Sequence, residues 1–337
     1  MKAVYALIVV VALTGAGLAS GASAALRGPL GVIVPYTACV ILLAGICLRV
    51  WRWAATPVPF RIPTTCGQQK SLSWIPSAPL ENPSSGIAAA SRLGLEILLF
   101  RSLFRNTRYE VSEGRAIFGD SKLLWLGAMA FHWSMLLILL RHLRLFIEPV
   151  PAFVLMLQRV DGFFQIGVPE LYLSDIAFTA GLLYLLWRRF GNPLVRYISQ
   201  VTDYLALFLL LGVAVTGMMM RHVTKVDVAA IKQFALGLVT FSPVMPLTVG
   251  ALFFAHLFLV SALAAYFPFS KLMHVAGVFL SPTRNLANNS RMVRHVNPWN
   301  YPVKKHTYTE WEEEYRDKLI AADIPMETPD VRAAHTD

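Results

Sequence analysis

The sequence predicts an all-α integral membrane protein with six transmembrane helices, and three observations support this fold class. Hydrophobic residues make up 56% of the 337 residues and charged residues only 15%, with a mean hydropathy of +0.54. A soluble chain of this length would need more charge to cover its surface. Six apolar runs are each about 20 residues long, which is enough to cross a bilayer. Four histidines also lie in apolar sequence, where an ionisable side chain is costly and usually functional.

The predicted spans divide the chain into four parts. The spans lie at roughly 3–25, 31–51, 122–146, 171–188, 202–220 and 246–267. The four parts are two N-terminal helices (1–51), a cytoplasmic loop with an interfacial helix (52–121), a four-helix core (122–274) and a cytoplasmic tail (275–337).

The first span has two interpretations. Lys2, the long apolar run and Ala22-Ser23-Ala24 together resemble a signal peptide with its cleavage site. The alternative is an uncleaved first helix, which we favour because the run is long for a signal core. Under either interpretation the second span enters the membrane from outside.

Lysine and arginine residues predict the orientation of the spans. The 52–121 loop, the 188–198 turn and the stretch after 268 are basic, so they belong on the cytoplasmic side together with the C-terminus. The 147–175 loop is acidic and belongs outside, as does the 221–243 loop. A net charge of +10 is scattered among the loops, which indicates affinity for anionic lipid rather than nucleic-acid binding.

The connecting segments carry weaker signals. Residues 52–85 are rich in Pro and Ser and predict an extended loop, whereas 87–106 show the apolar spacing of an amphipathic interfacial helix. In the tail, Thr309 and Glu312 form a capping-box pattern that predicts a charged helix to about 321. Such a tail is more suited to docking on a partner than to forming its own core.

Three cysteines are too few for a disulfide framework or a cysteine-ligated cluster. Cys39 and Cys47 lie in the second span and are most simply small packing residues. Cys66 lies in the cytoplasmic loop, where it is either a free thiol in a reducing compartment or a group that faces a redox partner.

The four histidines carry the functional signal. His132 and His142 are ten residues apart in the third span, and His256 and His274 are eighteen apart around the sixth. A single histidine in an apolar helix is more often a hydrogen-bonded packing residue. Two spans that each supply two histidines instead favour two haems with axial imidazole ligands.

Helix direction predicts which histidines pair. The third and sixth predicted spans run antiparallel, so His132 pairs with His274 toward the cytoplasm and His142 with His256 toward the exterior. We call these the inner pair and the outer pair.

The spacing of the histidines complicates this pairing. Ten residues rise about 15 Å and eighteen about 27 Å along a helix, so the haems cannot stack in parallel between straight helices. His132 and His142 lie about 80° apart on a helix, whereas eighteen residues make five full turns and would point His256 and His274 the same way. Pro268 can kink or end the sixth helix before His274.

These spacings, on two helices separated by two others, resemble the cytochrome b gamma subunit of respiratory nitrate reductases. The segment FPFSKLMH, which ends at His274, is also similar to that family's closing motif. The resemblance covers about 115–295 and implies five core spans, two haem b groups held by two histidines each, and quinol chemistry near the outer haem. A nitrate reductase gamma-type subunit is therefore one candidate function.

The additional N-terminal span and the loop RIPTTCGQQKSLSWIP depart from that subunit. They resemble the DsrM family, the membrane cytochromes b of the Dsr complex of dissimilatory sulfur metabolism in the prokaryotic cytoplasmic membrane. This resemblance implies electron exchange between menaquinone and a cytoplasmic iron–sulfur partner similar to the catalytic subunit of heterodisulfide reductase, which would carry the sulfur chemistry. It also implies a periplasmic multihaem cytochrome c, a periplasmic iron–sulfur protein and a second membrane subunit.

A haem with two imidazole ligands has no open position for a substrate, so substrate chemistry is expected at a quinone pocket. Arg141 and Arg144 flank His142, and we expect them to bind a quinone carbonyl or a haem propionate. The alternative for both is snorkelling of a long cation to the interface. His222 is predicted to be interfacial, with a quinone or partner site as its alternative.

The remaining histidines and the competing class of function complete the predictions. His295, His306 and His335 lie in the polar tail and are expected to be solvated. From a different class, the chain could be a cofactor-free membrane anchor or a transporter with buried histidines.

Overall fold

The computed structural model describes residues 1–56, 67–112, 114–162, 170–292 and 305–327. Within these residues the chain is mostly helical, as predicted, and its one sheet is a two-stranded antiparallel hairpin. The chain divides into two compact units, of which the first comprises 1–56 and 61–294 and the second comprises 57–60 and 295–337.

The first unit holds the predicted spans. Its helices are α1 (Lys2–Ala22), α2 (Ala24–Gly28), α3 (Val34–Ala54), α4 (Gly86–Leu99), α5 (Arg101–Phe104), α6 (Lys122–His142), α7 (Ala152–Asp161), α8 (Leu173–Gly191), α9 (Pro193–Ile198), α10 (Val201–Met219), α11 (Val228–Val239), α12 (Ala251–Tyr266) and α13 (His274–Gly277). Its strands are β1 (Thr107–Ser112) and β2 (Arg115–Asp120).

In the part of the chain that the structure describes, five helical segments are long and apolar enough to cross a membrane. They are Lys2–Ala22, Ala24–Ala54, Lys122–Leu145, Val201–Thr224 and Ala251–Phe269. The remaining predicted span forms α8, which has 19 residues but carries Asp175 in its first turn and Arg188 and Arg189 in its last. Because of these three charges, α8 is not one of the five apolar segments. The charges lie at its two ends, however, where charged side chains can reach the membrane interface.

Helix α10 occupies the centre of the bundle because it packs against α1, α8 and α12. Helix α6 packs chiefly along α8, whereas α12 packs along α1 and α3 as well as α10. Within the described residues, the two histidine-bearing helices therefore flank α8 and α10 rather than packing along each other. Buried side chains that join α6, α8 and α10 are Phe131, Phe178, Leu182 and Leu210.

The long helices run in alternating directions through the bundle, as the predicted topology requires. The start of α1, the end of α3, the start of α10 and the end of α12 meet at one end of the bundle. Three hydrogen bonds connect them: Lys2 Nζ to the Ser199 carbonyl (2.9 Å), Tyr266 Oη to the Thr202 carbonyl (3.1 Å) and Arg49 Nη1 to the Pro268 carbonyl (2.7 Å).

Helix α1 packs tightly against α12. A Cβ atom built on Gly17 would lie 2.8 Å from the Cα of Ala255, and one on Gly21 would lie 2.7 Å from the Cβ of Phe254. Only glycine allows this approach of the two backbones. Helix α1 is therefore part of the bundle, and its retention in the mature protein stays a prediction.

The region between the second and third predicted spans is more structured than the sequence suggested. The predicted interfacial helix over 87–106 is interrupted at Phe100, which adopts a left-handed conformation (φ 48°), and it forms α4 and α5. A hairpin that we did not predict follows, with Tyr109 paired opposite Phe118. Its turn contains Gly114 at φ 75°, a conformation that favours glycine.

Residues 67–106 are hydrogen-bonded to residues 278–292, and we call these two segments together the cap. Its connections are Asn288 N to the Pro83 carbonyl, Asn288 Nδ2 to Asn82, Arg92 to the Thr283 carbonyl, Gln69 to Ser290 and Arg284 to Glu96. Burial alone would raise the pKa of Glu96, but hydrogen bonds from Ser102 and the charge of Arg284 hold it below its ordinary value. The contribution of Glu96 to stability is therefore present above its unfolded-state pKa and is lost as the pH falls through its folded pKa.

Helix α12 ends at Tyr266, and two 3₁₀ turns, Phe267–Phe269 and Lys271–Met273, lead to His274. The prediction that Pro268 ends this helix is confirmed. The expectation that His256 and His274 face the same way assumed one continuous helix between them. That assumption is wrong, because the helix ends before His274.

In the second unit, α14 spans Tyr308–Ala321 and ends where predicted. Its capping box uses Thr307 and Glu310, so the prediction of Thr309 and Glu312 was wrong by two residues. Two T-x-x-E patterns overlap here, and Glu312 is instead buried. His306 lies 3.7 Å from Glu314 and is exposed, as expected.

Candidate functional site

The inner pair is brought together by α6 and the turn that follows α12. The ring centres of His132 and His274 are 5.8 Å apart and their planes are nearly perpendicular (89°). An imidazole nitrogen binds transition metals at about 2 Å, so two nitrogens on one metal lie ~4 Å apart and their ring centres somewhat farther. The separation of the two ring centres is therefore close to that of two imidazoles that share one metal.

Aromatic side chains pack around the inner pair. Phe131 and Phe100 approach the edge of His132 at centroid distances of 4.8 Å and 5.0 Å. Helix α4 is held on α6 by the indole nitrogens of Trp125 and Trp133, which donate to the carbonyls of Leu99 and Leu98. The cap is thereby attached directly beside His132.

The outer pair joins the end of α6 to the middle of α12. His142 is the last residue of α6, and it lies close enough to His256 for the charges of the two rings to interact. A Cβ built on Gly217 would lie 3.3 Å from Cε1 of His256. Helix α10 therefore approaches this ring closely because position 217 has no side chain.

Each of the four histidines uses Nδ1 in a hydrogen bond, which is the arrangement that an axial ligand needs. The partners are the carbonyl of Ala128 for His132 (2.8 Å), the carbonyl of Ile138 for His142 (2.7 Å), the carbonyl of Lys271 for His274 (2.9 Å) and the hydroxyl of Thr216 for His256 (2.9 Å). A carbonyl partner requires the proton on Nδ1, which leaves the Nε2 lone pair for a metal. The four residues fit two haem irons on this observation.

No group of three or more histidine, cysteine or acidic side chains could hold a metal ion within the described residues. A haem needs only two axial ligands from the protein, so the two pairs match a haem better than a bare metal ion. Cys39 and Cys47 are free and exposed on α3. Cys66, His295 and His335 lie outside the residues that the structure describes.

Arg141 is held by two carboxylates. Its Nε lies 3.0 Å from Asp161 and its Nη2 lies 2.7 Å from Asp175, and the side chain is only 8% exposed. The guanidinium also stacks 3.7 Å above the ring of Tyr172, and that of Arg221 stacks on the same ring at 4.2 Å. We call Arg141, Asp161, Tyr172, Asp175 and Arg221 the aromatic–ionic cluster.

The other predicted polar residues lie near this cluster. Arg144 donates to the amide oxygen of Gln158 on α7 (2.9 Å), and within the described ranges it has no carboxylate partner. His222 lies in a π-helical turn, Met220–Thr224, at the end of α10, and its Nε2 atom is buried with no hydrogen-bond partner among the described residues.

A family model described as "Nitrate reductase gamma subunit" matches residues 92–296, which is more than half of the chain and contains all four histidines. The chain belongs to the nitrate reductase gamma subunit family. Together with its five apolar helices, this membership makes it a multi-pass membrane protein, whereas α1–α3 lie before the matched region.

Two curated relatives are similar over most of the chain. One from Archaeoglobus fulgidus is 43% identical over 276 residues, which cover 80% of this chain and 82% of the relative. One from Archaeoglobus profundus is 39% identical over 314 residues, which cover 85% and 93%. Both are named "Hdr-like menaquinol oxidoreductase cytochrome b-like subunit".

Sequence analysis missed Thr216 and the partners of Arg141. The acidic residues Asp161 and Asp175 were assigned only to an outer loop, because nothing in their spacing connects them with Arg141. Thr216 carried no signal, since a hydroxyl in an apolar helix usually bonds only to the preceding turn.

Proposed function

We propose that this chain is the dihaem b membrane subunit of a menaquinol-linked respiratory complex. The observation that carries the proposal is the assembly of two histidine pairs, each with Nδ1 hydrogen-bonded and Nε2 available. Haem b in these positions would supply one-electron transfer. The chain's own residues would orient the imidazoles and keep substrate away from the iron.

Menaquinol would be oxidised near the outer pair. Its conversion to menaquinone releases two electrons and two protons. Haem b would accept the electrons one at a time, and the protons would leave at the outer face. Because Arg141 is neutralised by two aspartates, we assign it to holding α6, α7 and α8 together. Arg144, whose partner among the described residues is the neutral amide of Gln158, is then the cation proposed to bind a quinone oxygen or a haem propionate.

Electrons would be exchanged at the inner face with an iron–sulfur partner. The cap lies beside His132 and exposes Leu72, Trp74 and Ile87, so it offers apolar surface next to the inner pair. We propose that the cap and the tail dock a cytoplasmic subunit like that of heterodisulfide reductase. Cross-links from these segments to periplasmic subunits alone would contradict this.

The complex that we propose belongs to dissimilatory sulfur metabolism and contains the other predicted partners. These are a periplasmic multihaem cytochrome c, a periplasmic iron–sulfur protein and a second membrane subunit. Helix α8 is proposed to be the fourth of six spans, and with six crossings the C-terminus would lie in the cytoplasm. The names of the two relatives support a menaquinol-oxidising complex rather than a nitrate reductase.

A reduced-minus-oxidised spectrum with haem quantification tests the proposal. Purified protein should show b-type absorbance and about two haems per chain. The b-type absorbance of the reduced protein should appear when a menaquinol analogue is added. Protein that folds without b-type absorbance would favour a cofactor-free anchor or transporter.

A further inference from the structure

Among the four histidines, His256 is the one oriented by a side chain of another helix. The rings of His132, His142 and His274 bond to main-chain carbonyls within three or four residues of themselves. His256 lies on α12, whereas its Nδ1 partner is Thr216 Oγ1 on α10, at 2.9 Å.

The surroundings of Thr216 determine the direction of this hydrogen bond. Thr216 is 5% exposed, and its hydroxyl lies 2.7 Å from the carbonyl of Gly212 and 3.1 Å from that of Val213. A hydroxyl has one proton, and these carbonyls can only accept. The hydroxyl therefore donates to the preceding turn and accepts from Nδ1–H of His256, which leaves Nε2 unprotonated.

The close approach of α10 restricts the ring further. Gly217 follows Thr216, and a side chain at that position would touch the imidazole carbon between its two nitrogens. The ring of His256 is thus held by its hydrogen bond to Thr216, by the main-chain carbonyl of Val213 and by the close backbone of Gly217, all on α10.

We propose that Thr216 is a positioning residue that fixes the proton and orientation of His256 and thereby sets the redox potential of the outer haem alone. The inference rests on the proposed function, because it requires that the outer pair binds haem. A hydrogen bond to Nδ1–H makes the imidazole a more basic ligand, and a more basic ligand stabilises oxidised iron. Removal of the bond should therefore make the outer haem easier to reduce.

The test is a redox titration of the purified protein with Thr216→Val, which keeps the shape of the side chain and removes the hydroxyl. We expect the reduced-to-oxidised ratio of the outer haem at a fixed potential to rise by three- to tenfold. Tenfold corresponds to about 59 mV for a one-electron couple. The inner haem should be unchanged, and Thr216→Ser should restore the original potential.

Thr14→Val is the matched control, because the hydroxyl of Thr14 also bonds to its preceding turn (2.8 Å) on α1. It should leave both potentials unchanged. An unchanged outer potential in Thr216→Val, or an equal shift of both haems, overturns the proposal. If the valine variant loses the outer haem, Thr216→Ala is titrated in its place. A raised potential of the outer haem alone then supports the proposal, and an unchanged potential or an equal shift of both haems overturns it. Wild-type protein without haem would instead refute the proposed function.

Discussion

The pairing of histidines is the residue-scale feature that substitutions test most directly. His132 lies against His274, and His142 lies within electrostatic range of His256, so each proposed haem would take one ligand from α6 and one from the α12 side. Replacing His142 or His256 with Ala should remove the same spectral component, because either change deletes an axial ligand of one haem. Haem content should fall by about half in each variant.

The complementary substitutions His132→Ala and His274→Ala should remove the other component. His222→Ala serves as the control and should retain both, since His222 is not a proposed ligand. Loss of the same component in the His142→Ala and His274→Ala variants would show that the pairing is different.

Arg141 and Arg144 should behave differently although they are three residues apart. Arg141→Gln leaves two carboxylates without their buried cation, which typically costs about 3–5 kcal/mol, so the thermal midpoint and haem retention should fall. Arg144→Gln removes a cation whose partner within the described ranges is the amide of Gln158, so the fold and both haems should persist. Reduction by a menaquinol analogue should nevertheless slow in this variant.

Stopped-flow reduction and thermal unfolding monitored by haem absorbance distinguish the two roles. Arg144→Lys keeps the charge and should retain part of the rate. Wild-type reduction kinetics in Arg144→Gln would make Arg144 an ordinary interface anchor.

At the scale of elements, α1 supports the helix that carries His256. Gly17→Leu would drive a side chain into the backbone of α12 next to Ala255, and overpacking of this kind costs about 1–3 kcal/mol or more. We expect a lower thermal midpoint and loss of the outer haem before the inner one. Gly15→Leu is the matched control, because a Cβ at that position would meet no atom within 4 Å apart from the backbone of its own helix.

An unchanged thermal midpoint in Gly17→Leu would mean that α1 is not packed against α12 in the mature protein. A cleaved signal peptide would give this result, and N-terminal sequencing of the purified protein would identify it.

At the scale of the whole molecule, the two pairs define a path from the proposed quinol site to the cap. His132→Ala should remove the inner haem and leave the outer one, so a menaquinol analogue should still reduce the outer haem. Onward transfer to an iron–sulfur acceptor should stop because the path is broken beside the cap. Rapid-mixing spectroscopy with and without the acceptor measures both steps.

His274→Ala should reproduce this result, because it removes the inner haem from the α12 side. Quinol reduction that depends on the inner haem instead would move the quinone site to the cytoplasmic face. Arg144 would then have no role in the oxidation.

The sequence by itself determined the membrane character, most of the helix positions and the two histidine pairs. Apolar runs and imidazoles in them are local signals, and alternation of helix direction follows from the number of crossings. The end of α12 at Pro268 was also predictable, since proline lacks the amide hydrogen that a helix needs.

Only the tertiary structure decided what surrounds those histidines. Residues that are distant in the chain are joined by the hydrogen bond from His256 to Thr216, by the carboxylates on Arg141 and by the connection of residues 67–106 to 278–292. Each depends on how helices are placed side by side, and side-chain spacing within one helix does not encode that placement. The hairpin after α5 did carry a local signal that the prediction overlooked. In its first strand Tyr109 and Val111 alternate with polar residues, and Gly114 lies in its turn.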